Sequence, residues 1–294
     1  MDRLAFLVDK ARGLRKKLVV AGSDDDVVLS ALKMALEHSI VDPILVGPSK
    51  ETQLFAVQVG LDLQRCQLVD CSKEESARKA VEIVSKDGSL LMKGSVKTGD
   101  LMKIVLEDQY GLKVGSTITM VSIFDIPTYH KLLAISDAGM IIAPTLEQKI
   151  DMINIAVKIM KKLGVERPKV AIIGAIEVPN QKMPATLDAA ILSKMNDRGQ
   201  IKDCIVDGPF ALDNAISEEA AKHKKIESPV AGDADILILP DIEAGNVLYK
   251  ALVFLANATV ASVIVGAKIP IVLTSRADSD KTKLYSIALA VNLC

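Results

Sequence analysis

A chain of 294 residues can bury a large core, and its length suits two medium α/β domains sharing a cleft better than one large domain. Half of its residues are hydrophobic but only 3% are aromatic and Trp is absent, so the core must be aliphatic, as in helices packed on parallel strands. The formal net charge of −1 excludes the basic excess of a nucleic-acid-binding protein, and any anionic ligand must be held by local groups.

Short β-branched runs alternate with longer helical patterns along the whole chain, as in βαβ units. The predicted strands, in chain order, span residues 18–20, 44–46, 68–69, 90–91, 118–123, 132–135, 170–173, 201–206, 236–239, 263–265 and 271–273. The run 236–239 is continuously apolar, as expected of a parallel strand buried on both faces. Amphipathic helices lie between the strands, such as the one predicted over 146–163. We expect an α/β fold with parallel-rich sheets, divided near residues 124–127.

The best-marked candidate site is the Thr-Ser-Arg-Ala-Asp segment at 274–278, directly after the last predicted strand. In open α/β sheets, ligands bind at the carboxyl ends of strands, where helix N-termini offer unpaired N–H groups. The Ser275 hydroxyl and the Arg276 guanidinium would both project there, and both suit a phosphoryl group. Alternatively, Ser279 or Asp280 caps the final helix and Arg276 is a solvated surface charge. Spacing alone does not separate the two interpretations.

A second strand end, at 93–98, reads Lys-Gly-Ser-Val-Lys-Thr and opens a helix at Thr98. It places Lys93 and a hydroxyl where an anion could bind. The segment lacks the Gly-x4-Gly-Lys-Ser/Thr order of a Walker loop. A Ser/Thr-capped helix with exposed lysines explains the same residues at least as well.

A third strand end, at 240–246, reads Pro-Asp-Ile-Glu-Ala-Gly-Asn. Asn246 and Lys250 lie one helical turn apart and can face the same ligand. Two small residues before Asn246 would allow close backbone approach. The alternative is an ordinary turn in which Asp241 caps the helix.

Carboxylates at two other strand ends are explained mainly by helix capping. Asp137 follows the strand over 132–135, and Thr145 with Gln148 forms the pattern of a capping box. The three acids at 24–26 fit the first turn of a helix, where the dipole favours negative charge, better than a metal site.

The cysteine and histidine spacings predict no zinc site and no catalytic thiol. The four cysteines form no CxxC pair, and the three histidines have no ligand spacing to each other or to cysteine. Charge interrupts the N-terminal apolar stretch too early for a signal peptide, and no apolar run approaches the ~20 residues of a membrane helix. We expect free thiols in a reduced, cytoplasmic setting.

Taken in order, five segments resemble the phosphate acetyltransferase and phosphate butyryltransferase family, over nearly the whole chain. They are Leu-Met-Lys-Gly at 91–94 with Thr98, Ser-Asp-Ala-Gly-Met at 136–140 followed by Ala-Pro-Thr-Leu-Glu-Gln-Lys at 143–149, Val-Asp-Gly-Pro-Phe-Ala-Leu-Asp at 206–213, Pro-Asp-Ile-Glu-Ala-Gly-Asn at 240–246 with Tyr249 and Lys250, and Thr-Ser-Arg-Ala-Asp-Ser at 274–279. The Asp-Ala-Gly-Met and Ser-Arg-Ala-Asp-Ser stretches resemble the butyryl branch, and the acetyl-branch Pro-Val-Asn-Asp-Leu before Ser-Arg is missing.

The resemblance implies a fold like that of isocitrate and isopropylmalate dehydrogenases, with the active site in the interdomain cleft. Residues 1–125 and 268–294 would form domain I, and residues 126–267 domain II. It implies a homo-oligomer built from dimers, with no metal and no permanently bound cofactor. The implied reaction interconverts butyryl-CoA, or another short-chain acyl-CoA, and phosphate with acyl phosphate and CoA through a ternary complex.

In this reaction Arg276 would bind the phosphoryl group, and Ser275 would hydrogen-bond the phosphate or the tetrahedral oxyanion. Asp278 or Asp280 would take the proton from the CoA thiol, because the position of the acetyl-branch carboxylate is occupied here by Thr282. The candidate substrate contacts are Lys93, Thr98, Asp137, Asn246 and Lys250.

Three alternatives stay open at the level of sequence. The first is acetyl instead of butyryl transfer. The second is an acyl-CoA-binding regulatory module without turnover. The third is an NAD-dependent oxidative enzyme, although we find neither metal-binding carboxylates nor a nucleotide-recognition pattern. In every case the expected ligands are small molecules, with neither nucleic acid nor membrane as a partner.

Overall fold

The chain is described by a computed structural model that covers residues 2–115, 117–273 and 278–294. Thr274, Ser275, Arg276 and Ala277 of the predicted site lie outside the described residues. The strands are β1 (Lys16–Ala21), β2 (Val41–Gly47), β3 (Gln67–Asp70), β4 (Leu90–Lys93), β5 (Thr119–Asp125), β6 (Leu132–Ser136), β7 (Lys169–Ile173), β8 (Ile205–Phe210), β9 (Ile236–Ile238), β10 (Thr259–Val265) and β11 (Ile271–Val272). The α-helices are α1 (Phe6–Ala11), α2 (Asp26–Glu37), α3 (Ser49–Val59), α4 (Ser76–Asp87), α5 (Thr98–Val105), α6 (Leu146–Lys162), α7 (Pro184–Asp197), α8 (Leu212–Ile216), α9 (Glu218–His223), α10 (Ile242–Phe254) and α11 (Asp280–Leu293).

Each predicted strand overlaps an observed one, and the largest shift occurs at β8, predicted over 201–206. The start of that prediction is wrong because a side chain, not a neighbouring strand, holds the backbone there. The Asn196 amide donates to the Ile201 and Cys204 carbonyls, at 3.0 and 3.3 Å, and accepts from Val206 N–H at 3.0 Å. Pairing of β8 with β7 then begins only at Ile205.

The chain folds into two compact units, Met1–Ser116 with Val260–Cys294, and Thr117–Thr259. The predicted boundaries, after residues 125 and 267, lie several residues further along the chain. The difference arises because β5 pairs with β6 and therefore belongs to the second unit. In the same way, β10 pairs with β11 and belongs to the first unit.

In the first unit the strand order is β3-β2-β1-β4-β11-β10. Neighbours are parallel except β10 and β11, which are antiparallel. The central strands carry buried aliphatic side chains, such as Leu18, Val19 and Leu91, each fully buried. Helix α11 is buried on nearly all sides, and it contacts α1 and α2. This is the mostly parallel sheet of buried strands that the apolar runs predict.

In the second unit the strand order is β5-β6-β9-β7-β8, parallel except for the β5–β6 pair. All three residues of β9 are buried, as predicted for its apolar run. Helix α6 begins with the predicted capping box, in which Thr145 accepts from Gln148 N–H and the Gln148 side chain accepts from Thr145 N–H. In the part of the chain that the structure describes, no helix has the length and apolarity needed to cross a membrane.

A buried ion pair joins α6 to α7 in the second unit, and its loss has a measurable consequence. Lys149 Nζ lies 2.6 Å from Asp188 Oδ2, with side chains 5% and 27% exposed. In Asp188→Ala the ammonium loses its partner while remaining buried. We expect the free energy of unfolding in urea to fall by about 2 kcal/mol, less than for a fully buried pair because Asp188 meets solvent.

The matched control for this variant is Asp197→Ala on the same helix. Asp197 pairs with Lys194 at 2.7 Å, but both side chains are more than half exposed. Exposed pairs contribute about 0–1 kcal/mol, so the control should unfold close to wild type. Equal destabilisation by the two substitutions would contradict the importance of burial at Lys149.

Candidate functional site

The turn after β6 is organised around Asp137, which is 2% exposed. Its Oδ1 accepts from the N–H groups of Gly139 and Met140 at 2.7 and 2.9 Å. Its Oδ2 accepts from the Thr119 hydroxyl and Met120 N–H at 2.8 and 3.1 Å. Asp137 therefore has a structural role in shaping this turn. Its predicted contact with substrate stays a prediction.

The first turn of α10 lies against the same turn of the second unit, as the small residues there predict. A Cβ built on Gly245 would overlap the carbonyl oxygen of Asp137 and come within 3.1 Å of Ala138 Cα. The Asn246 amide donates to the Ala138 carbonyl at 3.2 Å. Asp241 caps the helix by accepting a backbone N–H at 2.8 Å. Capping and close approach thus occur together and are not alternatives.

Asn246 and Lys250 are both exposed, one helical turn apart on α10. A ligand can therefore reach them from solvent. The Ala138 contact fixes the amide of Asn246 beside the turn after β6, whereas Lys250 retains a flexible stem. Both stay candidates for substrate contact.

At the carboxyl end of β4 in the first unit, Lys93 holds its own loop. The half-buried ammonium donates to the carbonyls of Gly94 and Val96, at 2.9 and 3.4 Å. Thr98 is the first residue of α5, and the predicted side-chain cap is wrong because Lys97 occupies the N-cap without a side-chain hydrogen bond. A local structural role for Lys93 is thereby established, and its contact with CoA or phosphate stays a prediction.

A network that the sequence did not reveal supports the same loop. The Ser95 hydroxyl donates to Asp24 Oδ1 at 2.5 Å, and Lys73 Nζ lies 2.7 Å from Asp24 Oδ2. The sequence pattern predicts all three acids at 24–26 in one helical turn, yet α2 begins only at Asp26, and Asp25 is its cap. Asp24 instead ties the β1 loop to the β4 loop. Such a contact between residues 71 positions apart leaves no local pattern.

The last predicted group lies at the start of α11, after β11. Ser279 caps the helix by accepting Thr282 N–H at 3.1 Å, as one of the two interpretations proposed. Asp280 is the first helical residue, its side chain is 55% exposed, and the Ser30 hydroxyl donates to it at 3.3 Å. Asp278 is half-buried and precedes the cap.

Sequence reasoning missed Lys283, whose side chain is 1% exposed. Its ammonium donates to the carbonyl of Asp278 and lies 4.0 Å from Asp280 Oδ1. A usable signal existed, because residues 284–291 are largely apolar and lack a polar face. A helix that is apolar on all sides is expected to be buried on all sides, and a lysine in its first turn is then buried with it.

The first unit's candidates lie at adjacent strand ends. Strands β4 and β11 are parallel neighbours in register Val272↔Met92, which brings residue 273 beside Lys93. The group at 278–283 follows that end of β11. In the second unit, Asp137 follows the carboxyl end of β6, and Asn246, on the helix after β9, donates to the carbonyl of the next residue, Ala138. Each unit therefore gathers its candidates where open α/β sheets bind ligands.

The thiols of Cys66, Cys71 and Cys204 are poorly suited to act as nucleophiles. Burial, followed by the charge of a nearby aspartate, raises the pKa of Cys66 and that of Cys204 to about 11. Burial also raises the pKa of Cys71. At neutral pH these thiols are protonated, and the thiolate is the reactive form. In the described ranges, no group of three His, Cys, Asp or Glu residues could hold a metal ion.

Comparison with known proteins identifies the family. A family model described as phosphate acetyl/butaryl transferase matches residues 4–98 and 79–291. The chain is 59% identical over 288 residues to phosphate acetyltransferase of Thermotoga maritima, covering 98% of each chain. It is 47% identical over 277 residues to phosphate butyryltransferase of Clostridium acetobutylicum, covering 94% of this chain and 92% of that one.

A solved structure supports the same assignment. The branched-chain phosphotransacylase from Enterococcus faecalis aligns with a TM-score of 0.83 and 34% identity, covering 94% of this chain and 98% of that one. The likeness therefore includes the arrangement of helices and strands as well as the sequence. The chain belongs to the phosphate acetyl/butyryl transferase family.

Proposed function

We propose that this protein transfers a short acyl group between coenzyme A and inorganic phosphate, with butyryl as the preferred group. Family membership across nearly the whole chain carries the proposal. The adjacent ends of β4 and β11, where Lys93 precedes one helix and Asp278 the other, support it. CoA is a substrate in this proposal, and no cofactor is bound permanently. The implied likeness to isocitrate and isopropylmalate dehydrogenases stays a prediction.

The reaction needs no protein nucleophile if both substrates meet in one complex. A phosphate oxygen attacks the thioester carbonyl carbon, the tetrahedral oxyanion collapses, the C–S bond breaks, and CoA leaves as a thiolate. In the reverse direction the thiol must first lose its proton. Catalysis then depends on positioning and on stabilising negative charge. The protonated state of Cys66 and Cys204 accords with this scheme.

The proposed roles follow from chemistry and placement. Arg276 binds the phosphoryl group, and Ser275 donates to the phosphate or the oxyanion. Asp278 or Asp280 accepts the thiol proton. Asn246 orients the acyl or phosphate end of a substrate, its amide held beside the turn after β6 by the Ala138 carbonyl.

Acyl-chain preference has support on both sides. The Asp-Ala-Gly-Met and Ser-Arg-Ala-Asp-Ser stretches resemble the butyryl branch. The relative that is 59% identical is named as an acetyltransferase, which makes acetyl the second candidate. A series of kcat/KM values over C2 to C5 acyl-CoA decides between them, and a maximum at C2 would reject butyryl.

The activity itself is tested with purified protein, butyryl-CoA and phosphate. We expect free thiol to appear only when phosphate is present, because phosphate is the acceptor. Absence of phosphate-dependent thiol release with every C2 to C5 acyl-CoA would reject the proposal. Acyl-CoA binding without turnover would instead identify a regulatory binding module.

We further propose that the protein is a homo-oligomer in which a second copy covers the C-terminal end of α10, at Phe254 and Leu255. All 13 residues of this helix are described, and Gly245 is its one buried residue. Phe254, its last residue, is 63% exposed, and Leu255 directly beyond it is 85% exposed. An apolar helix this exposed is typical of a protein–protein interface.

Light scattering after gel filtration tests this proposal. We expect wild type to have at least twice the 31.5 kDa mass of one chain, and Phe254→Glu to reduce the mass to that of one chain. The control is Val57→Glu on α3, since Val57 is 79% exposed but its helix already buries Thr52 and Ala56. A monomeric wild type, or a Phe254→Glu variant of unchanged mass, would reject the interface.

A further inference from the structure

Lys283 occupies an unusual position for a charged side chain. It belongs to the first turn of α11 and is among the largest fully buried side chains in the described residues. Its ammonium reaches back along the chain to the carbonyl oxygen of Asp278. Asp280 Oδ1, at 4.0 Å, is at the limit of an ion pair.

Neither stability nor the helix dipole explains a lysine here. A buried charge loses its hydration, and a well-packed apolar side chain of similar volume is often as stabilising or more so. The N-terminal end of a helix is positive and disfavours a cation. The position is therefore electrostatically unfavourable, and among the described residues the short contact of the ammonium is with the main chain before the helix.

We propose that Lys283 is a positioning residue for Asp278 and Asp280, the two candidate bases of the proposed reaction. The inference rests on the proposed function and deepens it. Two contacts fix the chain that enters α11: the Lys283 ammonium at the Asp278 carbonyl, and the Ser279 hydroxyl at Thr282 N–H. Asp278 and Asp280 are the proposed acceptors of the thiol proton, and both belong to the segment that these contacts hold. A fixed Asp278 carbonyl thus limits where the two carboxylates can be placed.

The same ammonium also contributes positive charge at the end of β11, where the proposed substrate carries phosphate. The field of a charge buried at this depth is screened by water and salt much less than that of an exposed charge. Its removal should therefore affect the chemical step, in which charge develops, more than the binding of acyl-CoA.

The test compares Lys283→Met with Lys283→Arg and with Lys281→Met as the matched control. Methionine fills a similar volume without charge, and arginine keeps a charged donor. Lys281 lies two residues away, is 51% exposed, and pairs with Asp2 at the surface. For Lys283→Met we expect kcat to fall by about 30-fold, with KM for acyl-CoA changed less than about threefold.

The other variants separate a role of the buried ammonium in positioning the site from a role in stability alone. The kcat of Lys283→Arg should be at least about fivefold higher than that of Lys283→Met. The kcat of Lys281→Met should stay within about twofold of wild type. If Lys283→Met fails to fold, Lys283→Gln takes its place, with a similar loss of kcat expected. A folded Lys283→Met or Lys283→Gln variant with wild-type kcat would overturn the proposal, as would an equal loss in Lys281→Met.

Hydrogen exchange separates this inference from the proposed function. The backbone amides of 278–283 should exchange faster in Lys283→Met than in wild type or Lys281→Met, whatever the enzyme's activity. A wild-type protein without phosphate-dependent thiol release would reject the function, and faster exchange would still confirm the contact. Unchanged exchange in Lys283→Met would overturn the positioning role even in an active enzyme.

Discussion

Replacing Arg276 with alanine is expected to lower kcat/KM for phosphate-dependent CoA release by about 10²–10³-fold, the loss typical of removing one oxyanion-stabilising group. A guanidinium binds a phosphoryl group through two parallel N–H donors, and alanine leaves that charge without a partner. The substituted residue lies outside the described residues, so the prediction rests on the Ser-Arg segment and on its place after β11. The measurement is a steady-state assay with butyryl-CoA and phosphate varied separately.

Two further variants test whether the loss of activity in Arg276→Ala is specific to the guanidinium. Arg276→Lys keeps the charge but not the planar fork, so it should recover only part of the activity. Arg12→Ala is the control, because Arg12 forms an exposed pair with Asp9 on the surface and should leave activity within about twofold. An Arg276→Ala enzyme with wild-type kcat/KM would move the phosphate site to another residue.

Gly245→Ala is expected to lower the free energy of unfolding by about 3 kcal/mol, the upper end of the usual range for overpacking. The added methyl would overlap the carbonyl oxygen of Asp137 and approach Ala138 Cα to 3.1 Å. Both are backbone atoms, so neither can rotate away as a side chain would. Helix α10 must then separate from the turn after β6, and we expect the Asn246 contact and activity to be lost as well.

The sign of this effect is opposite to what helix propensity alone predicts. Alanine is ordinarily the better helix former, by about 0.5–1 kcal/mol over glycine. Gly99→Ala in the first turn of α5 is the matched control, because a Cβ there meets nothing within 4 Å. Urea unfolding should show the control at or slightly above wild-type stability. A Gly245→Ala protein as stable as that control would show that α10 and the turn can move apart freely.

The strands could be predicted because their signal is local. Each is a short aliphatic run bounded by turn residues, and burial on both faces makes the run continuous. The helix caps at Thr145, Asp241 and Ser279 follow from equally local chemistry, since in each a side-chain oxygen accepts the N–H three residues further along the chain. Where a side chain from another element replaces a strand neighbour, as Asn196 does before β8, the prediction is wrong.

The candidate site was predictable only in part. Ligands bind at strand ends in open α/β sheets, so Lys93, Asn246 and Asp280 could be selected from the sequence as candidates, and their roles stay predictions. What holds those ends in place depends on tertiary contacts, such as Ser95 with Asp24 and the close approach of Gly245 to Asp137. The burial of Lys283 also depends on tertiary contacts, because it is set by the elements that pack around α11.

The discontinuous first unit has a consequence for how the protein is made. Its strand order places β11, near the end of this sequence, between β4 and β10, and helix α11 packs on α1 and α2. The ribosome therefore delivers the whole second unit before it delivers these closing pieces. Since domains generally fold as units during synthesis, residues 2–115 must wait, with the apolar faces of β1 and β4 incompletely covered, while 117–259 can already fold. The nascent first unit then exposes apolar surface for longer than the second unit does, and such surface is prone to aggregate.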